Sequence, residues 1–223
     1  MQTRIFAALT VIVAVAAAAF WLAAPRAGGP VSLGAAEAQA AGGDDIDMSL
    51  YREMSMGDPD APVTVVEYAS FTCPHCATFH RNVLPQLRES YIDPGRIHWI
   101  TREVYFDPYG LWAGMLARCG DGARYYGIVD LLFSQQQEWA ASNDGAVVAN
   151  NLRRLGRIAG FANDEIDACL ENRDLAQALV ATYQQNAGRD NIRGTPSFVI
   201  NGELHPNMSY ADFSRVLDGL LDG

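Results

Sequence analysis

The alternation of apolar and polar positions predicts a strand, a helix and a second strand early in the chain. Residues 63–69 are β-branched, aromatic and nearly all apolar, which is typical of a strand buried on both faces, and Glu67 is the exception. After Cys73, apolar residues recur at helical spacing, so we expect a helix to begin at this cysteine. Residues 96–104 predict the second strand, which follows the breaker Asp93-Pro94-Gly95.

The remainder of the chain is predicted to be helical and then to return to strands. Residues 109–189 are rich in Ala, Leu and Gln, and their glycine-containing breaks predict three to five helices. Residues 192–206 contain a short apolar run and the turn dipeptide Asn201-Gly202, which is a strong hairpin signal. Residues 209–220 carry apolar positions on one face of a closing helix. This order predicts an α/β sheet with a helical insertion.

The first forty residues differ in kind from the rest and indicate export. Arg4 precedes an unbroken apolar run over residues 5–24, which is long enough to cross a bilayer. Ala38-Gln39-Ala40 matches the small-x-small pattern that signal peptidases cleave. The pattern favours a cleaved signal peptide over an uncleaved membrane anchor, and both alternatives stay open. Either one places the globular part in a compartment where disulfides persist.

Composition and charge narrow the range of partners. The chain has 223 residues, of which 49% are hydrophobic and 19% charged, as expected of one globular domain with a substantial core. Its formal net charge is −10, it has no lysine, and its sixteen arginines are spread along the chain. Because such a surface does not attract phosphate backbones or anionic lipids, we expect no nucleic-acid partner.

The pair Cys73 and Cys76 is the strongest chemical signal in the sequence. A cysteine at a helix N-terminus points its sulfur at unpaired backbone N–H groups and the positive end of the helix dipole, which favours the thiolate. Pro74 fits the first helical turn, where its missing N–H costs nothing, and His75 can add a donor or positive charge. A reduced state stabilised in this way makes the disulfide oxidising. Cys76, one turn further on, would be the resolving thiol.

The same cysteine pair has two alternative uses, in a metal site or in a structural disulfide. A metal site could use both thiols with His75 or His80, but no second Cys-x-x-Cys or His pair follows at ligand spacing. A purely structural bond between such near neighbours would constrain the unfolded chain little. Redox use is therefore favoured, and neither a metal nor a cofactor is expected.

These residues resemble a known family, the exported DsbA-like thiol:disulfide oxidoreductases of bacteria. The Cys-Pro-His-Cys run after a strand that ends in Glu-aromatic, here residues 66–76, is similar to that family's active site. Gly194-Thr195-Pro196 resembles its cis-proline segment, and the helical block resembles its insertion. The resemblance covers roughly residues 63–220. It implies a thioredoxin fold with an inserted helical subdomain.

The resemblance also implies roles for individual residues. Cys73 would be the attacking thiolate, Cys76 its partner and His75 the main tuner of the reduction potential. Pro196 would follow a cis peptide bond and expose backbone groups of Thr195 to grip an extended substrate. Threonine before this proline also occurs in isomerases and reductases of the family, so the direction of disulfide transfer stays open.

Glu67 occupies the position of a buried acid that is thought to assist proton movement in the family. The family pattern places a lysine near that acid, and this chain has none. The partner of Glu67 would then be an arginine, with Arg102 as candidate, or water. The alternative is an acid at the strand end that reaches solvent. His80, His98 and His205 are expected to be surface or satisfied core residues.

Cys119 and Cys169 lie fifty residues apart in the helical block. In an oxidising compartment they are expected to pair in a structural disulfide. A regulatory bond that tunes Cys73 is the alternative.

The sequence predicts a periplasmic oxidoreductase that is soluble or N-terminally anchored and monomeric. The resemblance implies that it donates disulfides to reduced exported proteins and is reoxidised by a quinone-linked membrane partner. A disulfide isomerase or reductase is the first alternative, and an exported metal-binding protein is the second. The expected segments are a signal peptide or anchor (1–40), a linker (41–62), the first part of the thioredoxin fold (63–108), the helical insertion (109–191) and the second part (192–223).

Overall fold

A five-stranded mixed sheet organises residues 46–223, the part of the chain that the computed structural model describes. In the strand order β1-β3-β2-β4-β5, β2 and β3 run parallel and the other neighbours run antiparallel. The predicted signal peptide or anchor, residues 1–40, lies outside the described residues. The strands are β1 (Met54–Gly57), β2 (Val63–Ala69), β3 (Ile97–Glu103), β4 (Ser197–Ile200) and β5 (Glu203–Pro206).

Nine α-helices accompany the sheet within these residues. The first two, followed by a π-helical turn (Arg88–Ile92), connect β2 to β3. Six lie between β3 and β4, and the last follows β5. None of the helices in residues 46–223 is both long and apolar enough to span a bilayer. The helices are α1 (Pro74–Asn82), α2 (Leu84–Leu87), α3 (Pro108–Ala117), α4 (Tyr125–Ser134), α5 (Gln136–Trp139), α6 (Gly145–Ile158), α7 (Asn163–Leu170), α8 (Arg173–Arg189) and α9 (Tyr210–Leu221).

The predicted α/β fold with a helical insertion is confirmed, with two corrections. The predicted linker over 41–62 contains β1, which pairs with β3 and forms an edge of the sheet. Its alternating pattern, Met54-Ser55-Met56, is too short to separate from a turn by periodicity. The insertion holds six helices instead of three to five, because α5 is a single turn that directly follows α4.

Both faces of the central strand β2 are covered, as the sequence predicted. On one face, Val65 packs with Trp99 of β3 and with Phe79 and Phe213 of α1 and α9. On the other face, Tyr68 packs with residues of β3 and with α8. The polar residue Glu67 is therefore fully enclosed at 0% exposure.

The helical insertion has an apolar core of its own, which extends to the end of β2. Cys76 and Phe71 belong to this cluster together with residues of α3, α4 and α6, and the Phe71 and Phe133 ring centroids are 5.2 Å apart. The loop between β2 and α1 is thus packed between the sheet and the insertion.

Candidate active site

Cys73 caps the N-terminus of α1, and Cys76 lies in the first turn of that helix. Pro74 occupies the start of the helix, where no intrahelical N–H donor is required. Both cysteines are free thiols, Cys73 half-buried and Cys76 fully buried. An incoming sulfur can therefore reach Cys73, while Cys76 is shielded.

The two thiols have opposite acidities. The pKa of Cys73 is lowered from 9.0 to about 5, chiefly by a hydrogen bond from the Cys76 thiol. The Thr195 side chain and the backbone N–H groups of Cys76 and His75 act in the same direction, and burial opposes them. Burial, followed by the hydrogen bond to Cys73, raises the pKa of Cys76 far above its usual range. At neutral pH the reduced pair therefore carries its charge on Cys73 and its proton on Cys76.

This result refines the physical argument made from the sequence. The sequence predicted stabilisation by the backbone N–H groups of the helix N-terminus, and these groups do contribute. The largest cause, the Cys76 thiol, was not foreseen. His75 is exposed, and its role as tuner of the potential stays a prediction.

Thr195 and Pro196 are brought beside Cys73 from 122 residues away in the sequence. The peptide bond between them is cis. In its thiol form Cys73 donates to the Thr195 carbonyl oxygen at 3.4 Å, and the Thr195 hydroxyl is buried beside it. The segment before β4 thus forms one side of the site.

Two residues of the insertion region hold the loop between β2 and α1, and sequence reasoning missed both. Gln136 donates from Nε2 to the carbonyl oxygens of Phe71 at 2.7 Å and Cys73 at 2.9 Å. Asp107, which caps α3, accepts from the Thr72 hydroxyl at 2.5 Å. Neither carries a local motif, because their partners are backbone atoms or a hydroxyl more than thirty residues away.

The partner of Glu67 is His80, so the proposed pairing with Arg102 is wrong. His80 Nε2 lies 2.8 Å from Glu67 Oε1. Arg102 instead pairs with Glu53 at 2.8 Å and Asp190 at 3.2 Å, on the other side of β3 from Glu67 in the alternating pleat. The sequence did contain a signal for this position of His80: it lies four residues after Cys76, a spacing that puts both side chains on the same face of α1.

Cys119 and Cys169 form a disulfide with a Cα–Cα distance of 5.8 Å. It joins the end of α3 to α7 inside the core of the insertion. Within residues 46–223, no group of three His, Cys, Asp or Glu side chains is arranged to hold a metal ion.

Comparison with known proteins places the chain in a family. The Thioredoxin family model matches residues 50–219. A Rickettsia bellii protein named "Putative protein-disulfide oxidoreductase" is 33% identical over 171 residues, which cover 76% of this chain and 65% of the relative. The chain thus spans slightly less than two thirds of that relative's length.

Solved structures agree with this assignment. The crystal structure of Wolbachia pipientis α-DsbA1 is 28% identical with a TM-score of 0.71, covering 77% of this chain and 92% of that one. Oxidised BdbD from Bacillus subtilis shares the fold with a TM-score of 0.68 at 21% identity, covering 77% and 94% of the two chains. With a family-model match over residues 50–219 and a Cys-Pro-His-Cys helix start beside a cis-proline, the chain belongs to the thioredoxin family, among its DsbA-like members.

Proposed function

We propose that the protein is a thiol:disulfide oxidoreductase that donates the Cys73–Cys76 disulfide to reduced exported proteins in the periplasm. One observation carries the proposal: a half-buried thiol whose pKa is lowered to about 5 lies beside a buried thiol whose pKa is raised. Substrates attack Cys73 because it is the accessible sulfur, and its lowered pKa makes it the better leaving group when the product is released.

The reaction has two exchanges. A substrate thiolate attacks Cys73 Sγ, the Cys73–Cys76 bond breaks, and its electron pair moves to Cys76 Sγ, which takes up a proton. A second thiolate of the substrate then attacks the substrate sulfur of the mixed disulfide, forms the product disulfide and releases Cys73 as a thiolate. The substrate is oxidised by two electrons and the cysteine pair is reduced.

The surroundings of Cys73 support each exchange. The extended segment at Thr195 offers backbone groups beside the sulfur for an extended peptide. At pH 7, a thiol of pKa about 5 is ionised in about ninety-nine molecules of a hundred, so the released Cys73 thiolate needs no proton. The buried Cys76 does need one, and we assign its delivery to Glu67.

Turnover requires an oxidant that the cysteine pair does not supply. We propose that a quinone-linked membrane protein reoxidises Cys73 and Cys76, that residues 1–40 direct export, and that the protein acts as a monomer. Isomerase or reductase activity is the second candidate, because threonine before the cis-proline occurs in those members of the family too.

The reduction potential of the cysteine pair tests the proposal. The protein is equilibrated in glutathione redox buffers, quenched by alkylation, and the fraction reduced is followed. We expect a potential well above the about −270 mV that is typical of thioredoxin. A value at or below that level would overturn the oxidase assignment and favour the reductase. Cys73→Ser is the control that removes the exchange.

A further inference from the structure

A buried carboxyl–imidazole pair lies one helical turn from the resolving thiol. His80 follows Cys76 by four residues in α1, so both side chains project from the same face, about 6 Å apart along the helix axis. The side chains of His80 and Glu67 are 2% and 0% exposed and meet at 2.8 Å. The acid in β2 thus bonds to an imidazole on the same face of α1 as the thiol.

The pair has an open hydrogen-bonding position at each end. Glu67 Oε2 and His80 Nδ1 are both buried and have no partner within residues 46–223. A buried polar atom left unpaired costs about 1–3 kcal/mol, so a pair that served only stability would satisfy both atoms. A proton can enter the pair at one of these two unpaired atoms and leave it at the other.

A groove gives His80 access to the solvent side of the molecule. His80 forms part of the wall of a groove of about 500 Å³ between α1, α2 and α4. The Phe133 ring covers the imidazole at a centroid distance of 4.0 Å and holds its orientation. Glu67 is not part of the wall of this groove. His80 therefore lies between the groove and the acid.

The ionisable groups around the pair come from several elements. Burial is the main cause that raises the pKa of the Tyr126 phenol in α4, Thr101 opposes it, and Glu67 adds to the rise. The charged residues of the groove are of both signs. They are Arg81, Arg88, Glu89, Asp93 and Asp130.

We propose that His80 is the positioning residue that carries protons between this groove and Glu67, so that Glu67 can supply the proton of Cys76. This inference rests on the proposed function and deepens it. When a substrate thiolate breaks the Cys73–Cys76 bond, the electron pair moves to Cys76 Sγ and a proton moves from the Glu67 carboxyl to that sulfur. His80 returns a proton to Glu67 and is recharged from water in the groove. The reverse transfers occur when Cys76 is reoxidised.

The test measures how fast the Cys73–Cys76 bond opens in the oxidised full-length protein. The variant His80→Gln keeps a side-chain N–H donor near Glu67 but cannot carry a proton. His98→Gln is the matched control, since His98 lies in β3 opposite Thr64, at the other end of β2 from Cys73. Rates of reduction by dithiothreitol and of disulfide transfer to a reduced peptide are recorded across a pH series, in H₂O and D₂O.

We expect His80→Gln to slow both reactions by about tenfold to a hundredfold, the range of general acid–base assistance. Its rate profile should lose a pH-dependent phase that wild type and His98→Gln retain, and its solvent isotope effect should fall. Glu67→Gln should give a similar loss, and combining it with His80→Gln should add little further. If His80→Gln folds poorly, His80→Asn provides the test, since the shorter amide also donates an N–H without carrying a proton.

Equal rates, pH profiles and isotope effects in wild type and His80→Gln would overturn the inference, even if the melting temperature fell. The two assays separate this inference from the proposed function. A slowed reaction of His80→Gln with dithiothreitol supports the role of His80 whether the protein acts as an oxidase or as a reductase. Failure of the wild type to oxidise the peptide, with that slowing present, overturns the oxidase assignment alone.

Discussion

Two buried carboxylates on neighbouring strands have different surroundings. Glu103, at the end of β3, accepts from Arg118 Nε at 3.1 Å, from the second Arg118 nitrogen at 2.8 Å and from the Tyr125 hydroxyl at 2.7 Å. Glu67, in β2, has the single partner His80 and one unpaired oxygen within residues 46–223. Both acids are nearly inaccessible, at 5% and 0% exposure.

The difference separates a structural acid from a reactive one. Arginine stays charged at every relevant pH, so Arg118 offers Glu103 a permanent cation and, together with Tyr125, satisfies both of its oxygens. His80 makes one bond to Glu67 and leaves the other oxygen of that acid without a partner within residues 46–223. The fully paired acid contacts Tyr125 of the insertion core, and the partly paired acid contacts His80 of the redox helix.

The largest expected effect is the loss of the permanent cation beside Glu103. Arg118→Met leaves a buried carboxylate without its charge partner, so the free energy of unfolding should fall by about 3–5 kcal/mol in urea titrations. Tyr125→Phe, which removes one donor only, should cost about 1–2 kcal/mol. His80→Gln retains a donor and should change stability less than Arg118→Met. Equal losses in Arg118→Met and His80→Gln would erase the distinction between the two acids.

The disulfide next to Arg118 is expected to act on stability and not on the redox pair. It closes a loop of fifty residues, so replacing Cys119 and Cys169 together with alanine should lower the free energy of unfolding by about 2–4 kcal/mol. The rate of disulfide transfer per folded molecule should stay near wild type. Lost transfer at unchanged stability would instead assign this bond a regulatory role.

At the redox helix, which contacts Glu67, the negative charge of Cys73 should make the stability of the reduced protein depend on pH. Its folded pKa of about 5 lies below the ordinary 9.0, so between these values the unfolded chain binds a proton that the native state does not. The stabilisation is therefore complete above pH 9.0 and is lost as the pH falls to about 5. Melting temperatures of reduced wild type and Cys73→Ala across this window measure it. Parallel curves would contradict the lowered pKa.

The smallest expected effect is that of His75→Ser. The imidazole is exposed, so solvent screens its influence on the Cys73 thiolate. Removing a donor or positive charge should nevertheless shift the reduction potential of the pair toward the reducing side. Equilibration in glutathione buffers measures the shift, with His205→Ser as a control at the sheet edge. An unchanged potential would leave the backbone N–H groups and Cys76 as the main stabilisers.

Local patterns were enough to predict several elements of this fold. The burial of β2 on both faces, the start of α1 at Cys73 and the hairpin at Asn201-Gly202 depend on neighbouring residues and on period. The closing helix was predicted over 209–220 and is observed at Tyr210–Leu221, with Ser209 as its cap. β1 was missed because a four-residue edge strand carries too short a pattern.

The sequence by itself determined the redox pair, its place at a helix start and the order of elements around it, because these depend on spacing and local geometry. Only the tertiary structure decided that Glu67 pairs with His80 and that Gln136 holds the Cys73 loop. Only the tertiary structure showed that Arg102 pairs with Glu53 and Asp190 and not with Glu67. Such pairings follow from the register of strands and the packing of helices, which bring together residues that no local pattern connects.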